Sequence, residues 1–214
     1  MPVNIRCTLM SDETQRRAYH KRLRAEQETV TRQRITEAAM QLHGTIGPAR
    51  TTIAAVAAEA GVQRATVYRH FPDLESLFLS CSAHWASLNP PPNPDAWLQI
   101  GDPEARLRHA LSELYAWYAW GEPMLTNIYR DAPLVPATEE ASQQFQRHFH
   151  QLHAALMHGR RISGRPRVRT AAVIGHALDF RTWRSLTREQ GLHAEEAIGL
   201  MIALVAAAGQ RKRL

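Results

Sequence analysis

From Thr31 onward apolar residues recur at helical spacing, and a strand-like alternation of apolar and polar residues is nowhere sustained. Ile35, Ala38, Ala39, Leu42 and Ile46 stand at i, i+3, i+4, i+7 and i+11, one helical face. Gly44, Gly47 and Pro48 end that stretch. Ile53, Val56, Ala57 and Ala60 repeat the pattern behind Thr51 and Thr52, two residues of N-cap type, and Gly61 suits the C′ position after a short helix. A third short helix is predicted over Arg64 to Phe71, closed by Pro72. Asp73 opens a fourth, with Leu74, Leu77, Phe78, Cys81 and Trp85 on one face. Asn89 to Pro94 holds four prolines in six residues and cannot be helix interior, so it marks a connector. Beyond it, helices are predicted at about 103–120, 122–130, 137–158, 167–190 and 194–209. The chain reads as all-α, with about nine helices and no internal repeat.

At 214 residues and 44% hydrophobic, the chain can bury a core without staples. Its two cysteines, Cys7 and Cys81, exclude a disulfide framework and a four-cysteine zinc site, and fit a reducing cytoplasm. The longest apolar run, Ile198 to Ala208, is far short of the roughly 20 residues that span a bilayer. The N-terminus lacks the apolar core of a signal peptide, so a soluble cytoplasmic protein with no membrane partner is expected. No nucleophile elbow, phosphate loop, metalloprotease helix or dinucleotide glycine motif occurs. Nothing therefore points to an enzyme, and no catalytic residue or cofactor is assigned. The net charge of +6 is spread unevenly, +1 over 29–80 and +7 over 160–214, so the basicity itself is no argument for nucleic acid.

The argument for nucleic acid is local. Two short helices joined through a glycine turn have the size and spacing of a helix-turn-helix. With Val62 and Val67 turned inward against Ile53 and Val56, the second helix leaves Arg64, Ala65, Thr66 and Arg69 outward. Arginine offers a fork to guanine, and Ala65 and the Thr66 methyl can pack on a thymine methyl. Tyr68, His70, Thr51 and Thr52 suit phosphate oxygens, which fix register without reading sequence.

Thr51-Thr52-Ile53-Ala54-Ala55-Val56-Ala57-Ala58-Glu59-Ala60-Gly61-Val62, followed by Ala65-Thr66-Val67-Tyr68-Arg69-His70-Phe71, resembles the DNA-binding domain of the TetR family of transcriptional regulators. The strong likeness covers residues 31–80. Gln63 departs from the family's usual serine, so the recognition helix is capped less well or Gln63 itself faces DNA. Leu74 replaces a lysine that commonly touches a phosphate. The resemblance implies a homodimer that binds double-stranded DNA at a palindromic operator, acts as a repressor and is released by a small-molecule effector.

Three regions follow: 1–28, a flexible basic N-terminal arm, helical from about Glu13; 29–80, the helix-turn-helix domain; and 81–214, a helical effector-binding and dimerisation domain. Arg16, Arg17, Lys21 and Arg22 make the arm a solvated segment or a minor-groove contact. In the last region aromatic and polar side chains form helical stripes, and Tyr115, Tyr118, Tyr129, Phe149, His153 and Trp183 are the candidate contacts to an apolar or aromatic effector. His148, His150, His153 and His158 crowd one helix, but with no cysteine near and no carboxylate placed, no metal is assigned. Ala171, Gly175, Leu178, Thr182 and Ser185, with Ala197, Met201, Leu204, Val205 and Ala208, form small-residue and apolar faces through which two copies could make a four-helix bundle. Arg160 to Arg169 reads as a solvated basic loop. Gln63 and Leu74 keep a second reading open, an all-α small-molecule-binding protein or enzyme whose helix-turn-helix no longer binds DNA.

Overall fold

The computed structural model describes residues 5–210; the first and last four residues, which close the predicted arm and the C-terminal domain, lie outside it. Ten α-helices and no strand occur among the described residues. The helix α1, Ile5–Thr45, runs unbroken through the segment read as an arm. Its residues 13–30 are mostly Ala, Arg, Glu and Gln, strong helix formers, and Arg22 pairs with Glu26 one turn on at 3.6 Å. Residues 15–30 are almost wholly exposed and carry the helix about 24 Å beyond the first core.

That first core joins α1 to α2 (Ile53–Glu59), α3 (Arg64–His70) and α4 (Leu74–Leu88). Ile35, Ala38 and Ala39 of α1 meet Val56, Ala57, Val67, Phe71, Leu77 and Cys81 there, all buried. Thr52 accepts from the Ala55 amide at 3.1 Å and Asp73 from the Ser76 amide at 2.7 Å, which caps α2 and α4.

The connector is not all loop. Asn93 caps a short helix α5, Pro94–Leu98, and plants Trp97 in the second core with its indole N–H on Glu113 at 2.6 Å. The helix α6, Pro103–Asp131, spans both regions predicted as separate helices. Pro123 lies inside it, at an exposed position, and its ring nitrogen has no N–H to give the carbonyl of Ala119, itself exposed. Then come α7 (Glu139–Met157), α8 (Gly164–Ala177), α9 (Phe180–Arg184, prolonged by one wide turn to Glu189) and α10 (Ala194–Gly209). The single helix predicted over 167–190 breaks at Leu178 and Asp179. Tyr115 donates to the Ala177 carbonyl at 3.1 Å and Tyr118 to that of Leu178, while Asp179 caps α9 through the Arg181 amide at 2.6 Å. Side chains from a distant helix thus take the carbonyls that the break releases.

No helix is long and apolar enough to cross a membrane among the described residues.

Candidate functional site

The helix-turn-helix turns on Gly61, whose φ of 62° places it in the left-handed region, while the Val62 amide returns to the Ala57 carbonyl at 2.9 Å. Gln63 stands at the start of α3 and its side chain makes no capping bond, leaving its amide to the outside. Val67 is fully buried, so the helix can present only one arc: Gln63, Arg64, Ala65, Tyr68 and Arg69 are exposed and Thr66 is half-buried.

Three candidates stand apart from that arc. The Thr51 hydroxyl donates to the Gly47 carbonyl at 2.9 Å and its amide to Pro48 at 3.1 Å, so both its donors are used within the chain. Thr52 is exposed, its oxygen already accepting the capping bond. His70 closes α3 half-buried, with Nε2 sealed from water and unpartnered. Burial first, then the Arg69 and Arg32 charges, push its pKa down, so its ring is held neutral.

Two arginines that the sequence reading passed over brace this unit from α1. Arg32 donates to the His70 carbonyl at 2.5 Å and lies over the Phe71 ring at 4.0 Å. Arg34 donates to the Ala60 carbonyl at 2.6 Å, beside the turn. Each thus satisfies the last carbonyl turn of one helix of the pair. The only signal for them in the sequence was two like charges two residues apart on the polar side of a helix.

Of the six candidate effector contacts, four make one packed cluster. Tyr115, Tyr118 and Trp183 are at most 1% exposed, and Tyr118, Tyr129 and Trp183 all ring Phe180 at centroid distances of 5.2 to 5.7 Å from a neighbour. Desolvation holds the hydroxyls of Tyr115 and Tyr118 well above their usual pKa and lifts Tyr129 to about 12. Phe149 packs on Phe145 at 4.5 Å at the border of this cluster. His153 faces elsewhere: it shares a hydrogen bond with the Ala171 carbonyl at 2.9 Å and lines a cavity of about 410 Å³ between α7 and α8. A second cavity, about 570 Å³, opens between the proline connector and α7. No three His, Cys, Asp or Glu side chains converge as metal ligands among the described residues.

The stripes assigned to dimer contact are turned outward only in part. Leu178 and Thr182 beyond α8, and Ala197, Met201 and Val205 of α10, are buried within the chain. Gly175 and Leu204 face outward as expected, and Val168 and Ala172 on α8 and Leu200, Ala203 and Ala207 on α10 complete the outward surface. Both stripes have helical spacing, and only the packing partner tells which faces in. The Arg160–Arg169 stretch is not all solvated loop. Arg160 reaches Glu104 at 2.5 Å and Arg169 the Ala208 carbonyl at 3.1 Å.

Residues 35–81 match the family described as bacterial regulatory proteins, tetR family. A TetR-like transcriptional regulator from Rhodococcus sp. RHA1 has the same fold at 19% identity and a TM-score of 0.59, over 85% of this chain and 97% of that one. A linker-substituted mutant of HlyIIR is similar at 20% identity and a TM-score of 0.60, over 87% and 100%. A TetR transcription regulator from Haloarcula marismortui follows at 18% and 0.51, over 85% and 97%. No curated protein matches the chain.

Proposed function

We propose that this chain, whose residues 35–81 match the tetR-family model and whose fold is similar to that of TetR-like regulators, is a TetR-family protein and a cytoplasmic, non-enzymatic repressor. It binds a palindromic operator as a homodimer and lets go when a small molecule binds its C-terminal half. The observation that carries the reading is the exposed arc of α3. A helix of seven residues is fixed from behind by Val67 and Phe71, and offers arginine, tyrosine, a small apolar residue and a glutamine to the outside. That mixture combines base-reading with phosphate-holding groups.

In this reading Gln63, Arg64, Ala65 and Thr66 face base edges in the major groove, and Tyr68 and Arg69 face phosphates. Thr52 and His70 flank them, and Thr51 serves by holding the loop before α2. The domain division into 1–28, 29–80 and 81–214 stands as part of the proposal, with the arm a helical extension of α1. The α8 and α10 surfaces would pair across a two-fold axis and set the recognition helices about one DNA turn apart, roughly 34–36 Å. Small residues on those surfaces permit close approach of the helices.

Release requires that the effector bind better to a dimer with mismatched spacing than to the DNA-bound one, a coupling of about 1–3 kcal/mol in ordinary cases. Tyr115, Tyr118, Tyr129, Phe149, His153 and Trp183 remain the proposed wall of that response. With the aromatic members packed against one another, an effector among them would have to part the rings.

The test is a gel shift with the DNA flanking the gene at two salt concentrations. A shifted band that weakens with salt and disappears for an α3 surface variant supports the reading. No shift by a folded, dimeric chain refutes it.

A further inference from the structure

The 570 Å³ cavity has one wall of proline and one of helix. Pro91, Pro92 and Pro94 of the connector face Ala154 and His148 of α7, and Asp95 stands at the start of α5. Both walls are held in place. The Arg106 guanidinium, 2% exposed, donates to the Ile100 carbonyl at 2.7 Å beyond α5, and to those of Ala155 at 3.1 Å and His158 at 2.8 Å where α7 ends. Trp117 ties the front of the connector to α6 through the Asn89 carbonyl at 3.1 Å. The opening is therefore a formed feature of the fold, of a size ordinary for small-molecule sites.

Its chemistry is selective. Proline rings offer polarised C–H groups to the negative face of an aromatic ring. Asp95 carries the only formal charge among the lining residues, and with the Arg106 guanidinium behind Ala155 and His158 it is the Asp95 end of the cavity that favours a cation. The His148 ring donates to the Pro92 carbonyl, while its Nε2 is buried without a partner. Burial also pushes its pKa down, so the ring adds no positive charge to this wall.

We propose that the cavity between the Asn89–Pro94 connector and α7 binds a small aromatic amine in its cationic form. The ring lies against the prolines, and the ammonium faces Asp95. The connector follows α4 directly, and only three residues separate α4 from α3, so an occupant here borders the chain that leads to the proposed DNA-reading helix. As an effector site the proposal rests on the regulatory reading above; as a binding site it does not.

Tryptamine and indole-3-acetate share a ring and an N–H and differ in charge, which makes them matched probes. Calorimetry on the full chain without DNA should find tryptamine binding at least about fivefold tighter than indole-3-acetate, the range a partly exposed carboxylate supports. Asp95→Asn, at an exposed position, should remove most of that preference, and Ala154→Trp, which fills the cavity from an exposed helical position, should abolish binding. Unchanged circular dichroism of both variants keeps the comparison fair. Equal binding of the two probes, no binding of tryptamine at millimolar concentration, or binding indifferent to Ala154→Trp would each overturn the proposal. Because DNA is absent, failure here leaves the DNA-binding reading standing. Failure of the gel shift likewise leaves a positive isotherm intact.

Discussion

The side-chain amide of Asn127, near the end of α6, donates to the backbone carbonyl of His43 at 3.0 Å and, with the same nitrogen, to that of Gly44 at 2.9 Å. Asn127 thus serves the last turn of α1 from the other half of the molecule. Asp131 completes the joint by accepting the Ala49 amide at 3.1 Å, and the Arg130 side chain reaches the Ile46 carbonyl at 3.1 Å. Gly47, at φ 90°, is required here, since a Cβ would strike the Asp131 carboxylate. These bonds tie the end of α6 to the loop before the helix-turn-helix.

Asn127→Ala strips the buried His43 carbonyl and the part-buried Gly44 carbonyl of their shared donor, so the variant should lose about 1–3 kcal/mol of stability. Urea unfolding should show a lower midpoint with an unchanged slope. A midpoint within error of the parent would mean that the joint carries no load.

Arg64→Ala and Arg69→Ala should separate the two kinds of DNA contact. The first should relax discrimination at one base pair by about 1–3 kcal/mol while binding to other sequences is nearly kept. The second should weaken binding to every sequence and flatten the salt dependence by about one unit in the log–log plot. Equal losses on every operator variant for Arg64→Ala would remove its base-reading role.

The helix-turn-helix was legible because its signals are local: Thr52, Gly61, Pro72 and Asp73 act within a few residues of the ends they define. The C-terminal half was legible only in kind. Gly175 and Leu178 share one helical stripe in the sequence, yet Gly175 faces outward and Leu178 is buried, a choice made by the packing of neighbouring helices. The break after α8 is likewise set from outside, by two tyrosine hydroxyls some sixty residues away. The helices predicted at 103–120 and 122–130 are one, and Pro123, at an exposed position inside it, interrupts it far less than its rule suggests. Arg106 gave no sign in the sequence, for its partners are all backbone carbonyls.

His43 and Cys81 meet in the N-terminal core, Nδ1 to Sγ at 3.2 Å. Burial lowers the His43 pKa to about 4 against Asp131's opposing pull, and raises the Cys81 thiol to about 12. Below the unfolded value of 6.5 the unfolded chain takes up this proton first, so stability falls from pH 6.5 to about 4 and then levels. The loss from this one group should be on the order of 3 kcal/mol. His70 and His148, also lowered, act in the same direction and are retained in a His43→Asn variant. The difference between the two pH profiles therefore isolates His43, and parallel profiles would contradict its being buried neutral.

Gly175→Leu tests the pairing of copies. A Cβ there meets nothing closer than 3.8 Å within the chain, and leucine favours helix over glycine, so the subunit should fold at least as well. Across a close helix pair the added bulk should part the subunits, seen as half the mass in light scattering. A dimer of unchanged affinity would place the interface elsewhere.

The most direct test of the account is fluorescence anisotropy of labelled DNA flanking the gene, titrated with the full chain, the Arg64→Ala variant and the Gly175→Leu variant. The account predicts saturable binding at two subunits per site, with a steep salt dependence, weakened for both variants. No specific binding by the folded parent at low salt, or binding that neither substitution alters, would contradict it.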